Sequence, residues 1–312
     1  MTDASGWNLV ELADLQQEEI LAILDRAAEL RHLPPVQLQP PAGTVALLFS
    51  EPSTRTSLSF QVASQRLGVP FVELPTERSS LKKGETLLDT AQVLEALGAR
   101  ALVVRDRSDE VIRNLADQCE AGVLNAGGGT RAHPSQALLD SRVLLDEWGT
   151  MEGRCVGILG DVAHSRVARS DMVAFQALGA RVILFGPEEF VPEDLALTGV
   201  EVCHDLDARL KEVDAIQVLR IQHERIKGGM SLSAEDYIQR FQLNEDRLNR
   251  CGEEMLVLHP GPMNRGVEIA DAVADGPRSR ILQQVAAGVP VRMALLERAL
   301  GTHGSMESGE HR

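Results

Sequence analysis

The chain has 312 residues, 44% of them hydrophobic and 25% charged, long enough for two domains of ordinary size. A formal net charge of −15 opposes non-specific attraction to nucleic acid or to an anionic membrane surface, so neither is expected as a partner, and any phosphate must be held by local positive groups. Aromatic residues are only 3% of the chain, which leaves Leu, Val, Ile and Ala to fill the core, as in buried parallel sheets and the helices that cover them.

The N-terminal stretch "MTDASGWNLVELADLQQEEILAIL" carries acids where a secretory signal carries basic residues, and nowhere do about 18 apolar residues run together, so a cytoplasmic location is expected. Leu12, Leu15, Ile20, Ile23 and Leu24 fall at helical spacing. The Pro-rich connector "LPPVQLQPPAG" then leads to "TVALLFS", which reads as a buried strand. After it, Ser53 or Thr54 can cap a helix with Phe60, Ala63 and Leu67 on one face and Gly68 at its end.

The alternation continues. "VPFVEL" and "RALVVR" read as strands, "TLLDTAQVLEALG" as a helix, and "GVLNAGG" runs into the helix "HPSQALLDSRVLLDEWG", with Pro134 in its first turn and Gly149 at its end. A second series comprises "RCVGILGD", "RVARSDMVAFQALG", "RVILFG", "VDAIQVL" and "EMLVLHPGP". Two series of alternating strands and helices predict an α/β protein of two doubly wound domains, each with a central parallel sheet flanked by helices. The expected domains are residues 1–147 and 148–285. The closing helix, at about 286–301, is expected to pack back on the first domain, and 302–312 to be a disordered tail. Cys119, Cys155, Cys203 and Cys251 are widely spaced, with no C-x-x-C pair, and read as reduced thiols.

Ligands in such sheets bind beyond the carboxyl ends of the strands. At Ser53, Thr54, Arg55 and Thr56 a helix N-terminus offers free N–H groups, about half a positive charge, three hydroxyls and a guanidinium, a set suited to a phosphate dianion. Other strand ends carry Arg105, His133 with Gln136, Arg166, Arg220 with Gln222, and "HPGP" at 259–262. Singly, each has an ordinary explanation as a cap, a solvated arginine or a satisfied core histidine. A run of strand ends each carrying Arg, His or Gln is harder to obtain by chance.

The segments "FSEPSTRT", "SSLKKGETLLDT", "NAGGGTRAHPSQALLD", "LRIQHER" and "LHPGPMNRGVEI" together resemble the aspartate/ornithine carbamoyltransferase family, in its order and at its spacings over nearly the whole chain, and Glu51 is typical of its aspartate branch. The resemblance implies transfer of the carbamoyl group of carbamoyl phosphate to the amino group of L-aspartate, a step of pyrimidine biosynthesis, with no metal or organic cofactor. By the same resemblance Ser53, Thr54, Arg55, Thr56 and Arg105 hold the phosphate. Thr56, Arg105 and His133 donate to the carbamoyl oxygen. Gln136 and the carbonyls of Pro260 and Gly261 orient the carbamoyl NH2. Arg166, Arg220 and Gln222 take the aspartate. Ser79 and Lys83, with Lys82 beside it, reach a neighbouring subunit's site, so the resemblance implies a homotrimer with shared active sites; regulatory chains or a dihydroorotase partner are compatible with it.

Two departures stand out. Ser57 occupies a position where the family often has a second basic residue, and Gly261 one where some relatives have a bulkier side chain. Ornithine as the amine would call for a "HCLP" segment, where this chain has Pro260, and Arg220 would repel a cation. A nicotinamide dehydrogenase would need a G-x-G-x-x-G that "GILGD" lacks. A non-catalytic homologue would be expected to have lost site residues, yet every matched position is filled.

Overall fold

A computed structural model describes residues 6–33, 41–74, 84–221 and 232–301. The described chain divides into two compact units, one gathering residues up to Ser135 and again from Ala287, the other Gln136–Ala286. This geometric division places most of the helix after His133 with the second unit, whereas the sequence expectation, with its boundary at 147, put nearly all of it in the first domain.

The first unit contains a four-stranded parallel sheet, β1 (Thr44–Phe49), β2 (Phe71–Leu74), β3 (Ala99–Asp106) and β4 (Gly122–Gly128), in the order β2-β1-β3-β4. Five of the six residues of β1 and all seven of β4 are buried, as expected of strands covered on both faces. Helices α1 (Gln17–His32), α2 (Thr54–Leu67), α3 (Leu87–Ala96) and α4 (Asp109–Gln118) belong to this unit. Leu12 does not extend α1: it lies in a short 3-10 turn, Leu12–Asp14, and Leu15 is extended. The reason is local, because the backbone N–H of Gln16 is taken by the Glu19 carboxylate at 3.0 Å and the helix starts there. Helix α2 ends at Gly68, whose φ of 71° a side chain would strain.

The second unit contains a five-stranded parallel sheet, β5 (Cys155–Leu159), β6 (Arg181–Phe185), β7 (Glu201–Cys203), β8 (Ala215–Val218) and β9 (Leu256–Leu258), in the order β7-β6-β5-β8-β9. Helix α5 (Pro134–Trp148) opens it and α6 (Arg166–Ala177) follows β5. The closing helix, Ile281–Ala299, carries Gln284 in this unit and its residues from Ala287 in the first. No helix among the described residues is long and apolar enough to cross a membrane.

Both strand orders contain one reversal. In the first unit the chain leaves β1 toward β2, then returns to the other side of β1 to form β3, so the switch point lies between β1 and β3. In the second, β6 and β7 extend one way from β5 and β8 and β9 the other, which puts the switch between β5 and β8. Loops diverge at such points and leave a crevice beyond the carboxyl ends of the strands.

Candidate active site

The first switch point gathers most of the sequence-predicted phosphate residues. Phe49 is in register with Arg105, and the N–H of Ser50 bonds to the carbonyl of Arg105 at 2.9 Å, so β1 and β3 end side by side. Ser53 occupies the N-cap position of α2, but no side chain caps the turn. Its hydroxyl instead accepts from Arg105 Nη1 at 3.3 Å, and the same nitrogen donates to the carbonyl of Ala126 on β4 at 3.4 Å. Glu51 Oε2 lies 3.7 Å from Arg105 Nε. Three contacts therefore aim one guanidinium, and the first turn of α2 keeps N–H groups that an anion can accept from.

Thr56 and His133 meet at 3.4 Å between Oγ1 and Nε2, both side chains buried. Thr54 and Arg55 are exposed, and Arg55 has no hydrogen bond or ion pair among the described residues. A cleft of about 560 Å³ opens at this end of β1, lined by Glu51, Ser53, Thr54, Ser57, Gln61 and Glu73 among others. Ser57, which stands where a second basic residue was the family pattern, is buried and donates to Glu73 Oε1 at 2.8 Å. The local positive charge thus comes from the arginines and the helix terminus.

In the second unit the predicted residues leave three neighbouring strands at one end of the sheet. Arg166 is the first residue of α6, half-buried, in a turn where Ser165 caps the N–H of Ala168 at 3.1 Å. Arg220 stands exposed two residues beyond β8. The 259–262 segment follows β9, with His259 buried: its Nδ1 accepts from the N–H of Gly261 at 2.8 Å, and its Nε2 lies 3.2 Å from Glu268 Oε1. Gly261 has φ of 64°, a conformation that a bulkier residue would strain. Arg166 and Arg220 bracket the β5/β8 switch point as Ser53 and Arg105 bracket that of β1/β3. Gln136, on the first turn of α5, belongs to this unit and donates to Asp140 at 2.9 Å.

Ser79, Lys82, Lys83, Gln222 and the 302–312 tail lie outside the described residues. Sequence reasoning missed the role of Glu51 against Arg105, although the residue was visible in the motif. It also missed Gln217, whose signal was a polar residue in the middle of the apolar run "DAIQVL" and which is fully buried.

A family model described as the carbamoyl-P binding domain of aspartate/ornithine carbamoyltransferase matches residues 7–147, and one described as the Asp/Orn binding domain matches residues 152–299. The chain belongs to the aspartate/ornithine carbamoyltransferase family. Within it, the chain is 44% identical over 305 residues to the aspartate carbamoyltransferase catalytic subunit of Salinispora tropica, covering 94% of this chain and 98% of that one. It is 46% identical over 310 residues to that of Stenotrophomonas maltophilia, covering 96% and 98%. Among solved structures, aspartate transcarbamoylase from Trypanosoma cruzi in complex with N-(phosphonacetyl)-L-aspartic acid superposes with a TM-score of 0.83 at 28% identity, over 95% of this chain and 96% of that one. Ornithine carbamoyltransferase from Pyrococcus furiosus gives the same TM-score and identity, over 96% and 99%. The carbamoyltransferase fold is thus common to both amine specificities.

Proposed function

We propose that this carbamoyltransferase uses L-aspartate as the amine, forming N-carbamoyl-L-aspartate and phosphate as a step of pyrimidine biosynthesis. The observation that carries the choice of amine is the placement of two guanidiniums, Arg166 and Arg220, on either side of the β5/β8 switch point. A substrate with two carboxylates needs two cations, and an arginine fork matches a carboxylate where it would repel the ammonium of ornithine. The relatives at 44% and 46% identity carry the same specificity in their names.

In this reading the first turn of α2, with Ser53, Thr54, Arg55 and Thr56, takes the phosphate, and Arg105 spans phosphate and carbamoyl oxygen. The neutral amine of aspartate attacks the carbamoyl carbon; a C–N bond forms and the C–O bond to phosphate breaks. Negative charge gathers meanwhile on the carbamoyl oxygen, where Thr56, Arg105 and His133 donate, and fixed donors stabilise that charge more than they stabilise the substrate. The amine's proton leaves with the departing phosphate, so the reaction balances without a protein base. Gln136 and the carbonyls of Pro260 and Gly261 accept from the carbamoyl NH2. Holding both reactants in line supplies about 7–11 kcal/mol of the barrier reduction.

The proposal includes the domain assignment, 1–147 for carbamoyl phosphate and 148–285 for aspartate, with the closing helix returning to the first. It also includes a cytoplasmic homotrimer in which Ser79 and Lys83 serve a neighbour's site and Gln222 joins Arg220. The test is product formation from carbamoyl phosphate with L-aspartate or L-ornithine, beside an Arg55→Ala control. Carbamoyl-aspartate that disappears in the control supports the reading. Citrulline would remove Arg166 and Arg220 from the role given them.

A further inference from the structure

Beneath Gln136 the second unit buries two carboxyls, Asp140 of α5 and Asp171 of α6, both with no solvent exposure. Three side-chain amides from three elements converge on Asp140. Its Oδ1 accepts from Gln136 Nε2 at 2.9 Å and from Gln284 Nε2 of the closing helix at 2.6 Å, and its Oδ2 accepts from Gln217 Nε2 of β8 at 2.8 Å. Asp171 Oδ2 accepts from the same Gln217 Nε2 at 3.2 Å. Gln284 Nε2 also reaches Gln217 Oε1 at 3.3 Å, and Gln284 Oε1 accepts the backbone N–H of His259 at 2.8 Å.

This pattern leaves the amides no freedom to turn round. Gln217 directs both N–H bonds to the two carboxyls, and Gln284 directs both to Asp140 and Gln217. Every amide bond to Asp140 requires it to accept, which a carboxylate does most strongly with both oxygens. For Gln136 the consequence reaches the substrate: with its NH2 committed to Asp140, the other end of the amide, Oε1, is the end left to accept. The carbamoyl NH2 is a donor and needs an acceptor.

We propose that Asp140 is a positioning residue of this enzyme, holding the Gln136 amide with its oxygen presented to the carbamoyl NH2. The inference rests on the reading that Gln136 contacts the carbamoyl group. Burial raises both carboxyls, Asp140 to about 7, and the charge of Asp140 adds to the upward push on Asp171. Two neighbouring buried carboxyls resist ionising together. Asp140 thus faces Gln136 from its own helix, Asp171 from α6, Gln217 from β8 and Gln284 from the closing helix; of these only Asp171 titrates.

The test is a double-mutant cycle on kcat/KM for carbamoyl phosphate at saturating L-aspartate, with Gln136→Ala, Asp140→Asn and the pair. Asp140→Asn replaces one carboxylate oxygen by an NH2; facing Gln136 and Gln284, or facing Gln217, it sets donor against donor and breaks the arrangement that fixes the Gln136 amide. Each single change is expected to cost about 10–100-fold, and Asp140→Asn in the Gln136→Ala background no more than about 3-fold further. Equal losses in both backgrounds, or a wild-type rate in Asp140→Asn, would overturn the inference.

Should Asp140→Asn not fold, the ratio of wild-type to Gln136→Ala activity across pH decides the matter with two folded proteins. The ratio is expected to be full above about pH 8 and to shrink below about pH 6, as Asp140 takes a proton and its bonds from the amides lose their charge assistance. A ratio flat with pH would count against Asp140. Wild-type protein that makes no carbamoyl-aspartate, or Gln136→Ala as active as wild type, would sink the reading of Gln136 and the inference with it; an additive cycle in an active enzyme sinks the inference alone.

Discussion

Arg105 shows how a single side chain becomes specific through its neighbours. At the end of β3 an arginine is ordinarily solvated, but here Nη1 is held by Ser53 and Ala126 and Nε faces Glu51. The motif around Ser53 and the arginine after "ALVV" were both legible in the sequence. Their contact was not, because it depends on β1 and β3 ending in register across 52 residues of chain. Arg105→Lys keeps the charge and loses the planar fork, so kcat with both substrates saturating is expected to fall at least about 100-fold, comparable to removing a fixed donor from an oxyanion site. A lysine variant within a few-fold of wild type would show that charge alone suffices. Thr56 and His133 make the same point, since 77 residues separate two buried side chains that meet at 3.4 Å.

Among the elements, α2 and α5 were legible at both ends. Gly68 and Pro134 marked their limits, and the structure places them there because a positive φ and a missing N–H cost nothing at those positions. Gly68→Ala is expected to destabilise the protein by about 1 kcal/mol, read by chemical denaturation, with kcat unchanged. The packing of α5, α6, β8 and the closing helix around Asp140 and Asp171 makes a second prediction. Both carboxyls hold their protons in the folded state at pH values where the unfolded chain has released them. Their contribution to stability is therefore largest below about pH 4, the unfolded value, and is lost as pH rises toward about 7 and beyond. Asp171→Asn removes one of the two raised acids. Its unfolding midpoint should fall less between pH 5 and pH 8 than the wild type's; parallel falls would mean that the pair carries no such burden.

For the whole molecule the prediction concerns assembly. If Lys83 serves a neighbour's site, mixing equal amounts of Arg55→Ala and Lys83→Ala chains after dissociation and reassociation should restore roughly a quarter of wild-type activity. A random trimer combines an intact Arg55 with a neighbour's intact Lys83 at about that fraction of its sites. Mixed assemblies as inactive as their parents would place Lys83 in its own chain's site.

By itself the sequence determined the α/β class, the two-part organisation, the strand–turn–helix junction at Ser53 and the carbamoyltransferase family. All of these are written in local signals: apolar runs of strand length, caps and glycines at helix ends, and short motifs kept at fixed spacing. What only the tertiary structure decided was the order of the strands, hence which loops share a switch point, and the buried knot of Asp140, Asp171, Gln217 and Gln284. Those four residues are spread over 145 positions of chain, 140 to 284, and only Gln217, polar within an apolar run, stands out locally. Their meaning comes from burial, which removes water as a partner and leaves each amide one orientation that satisfies every donor.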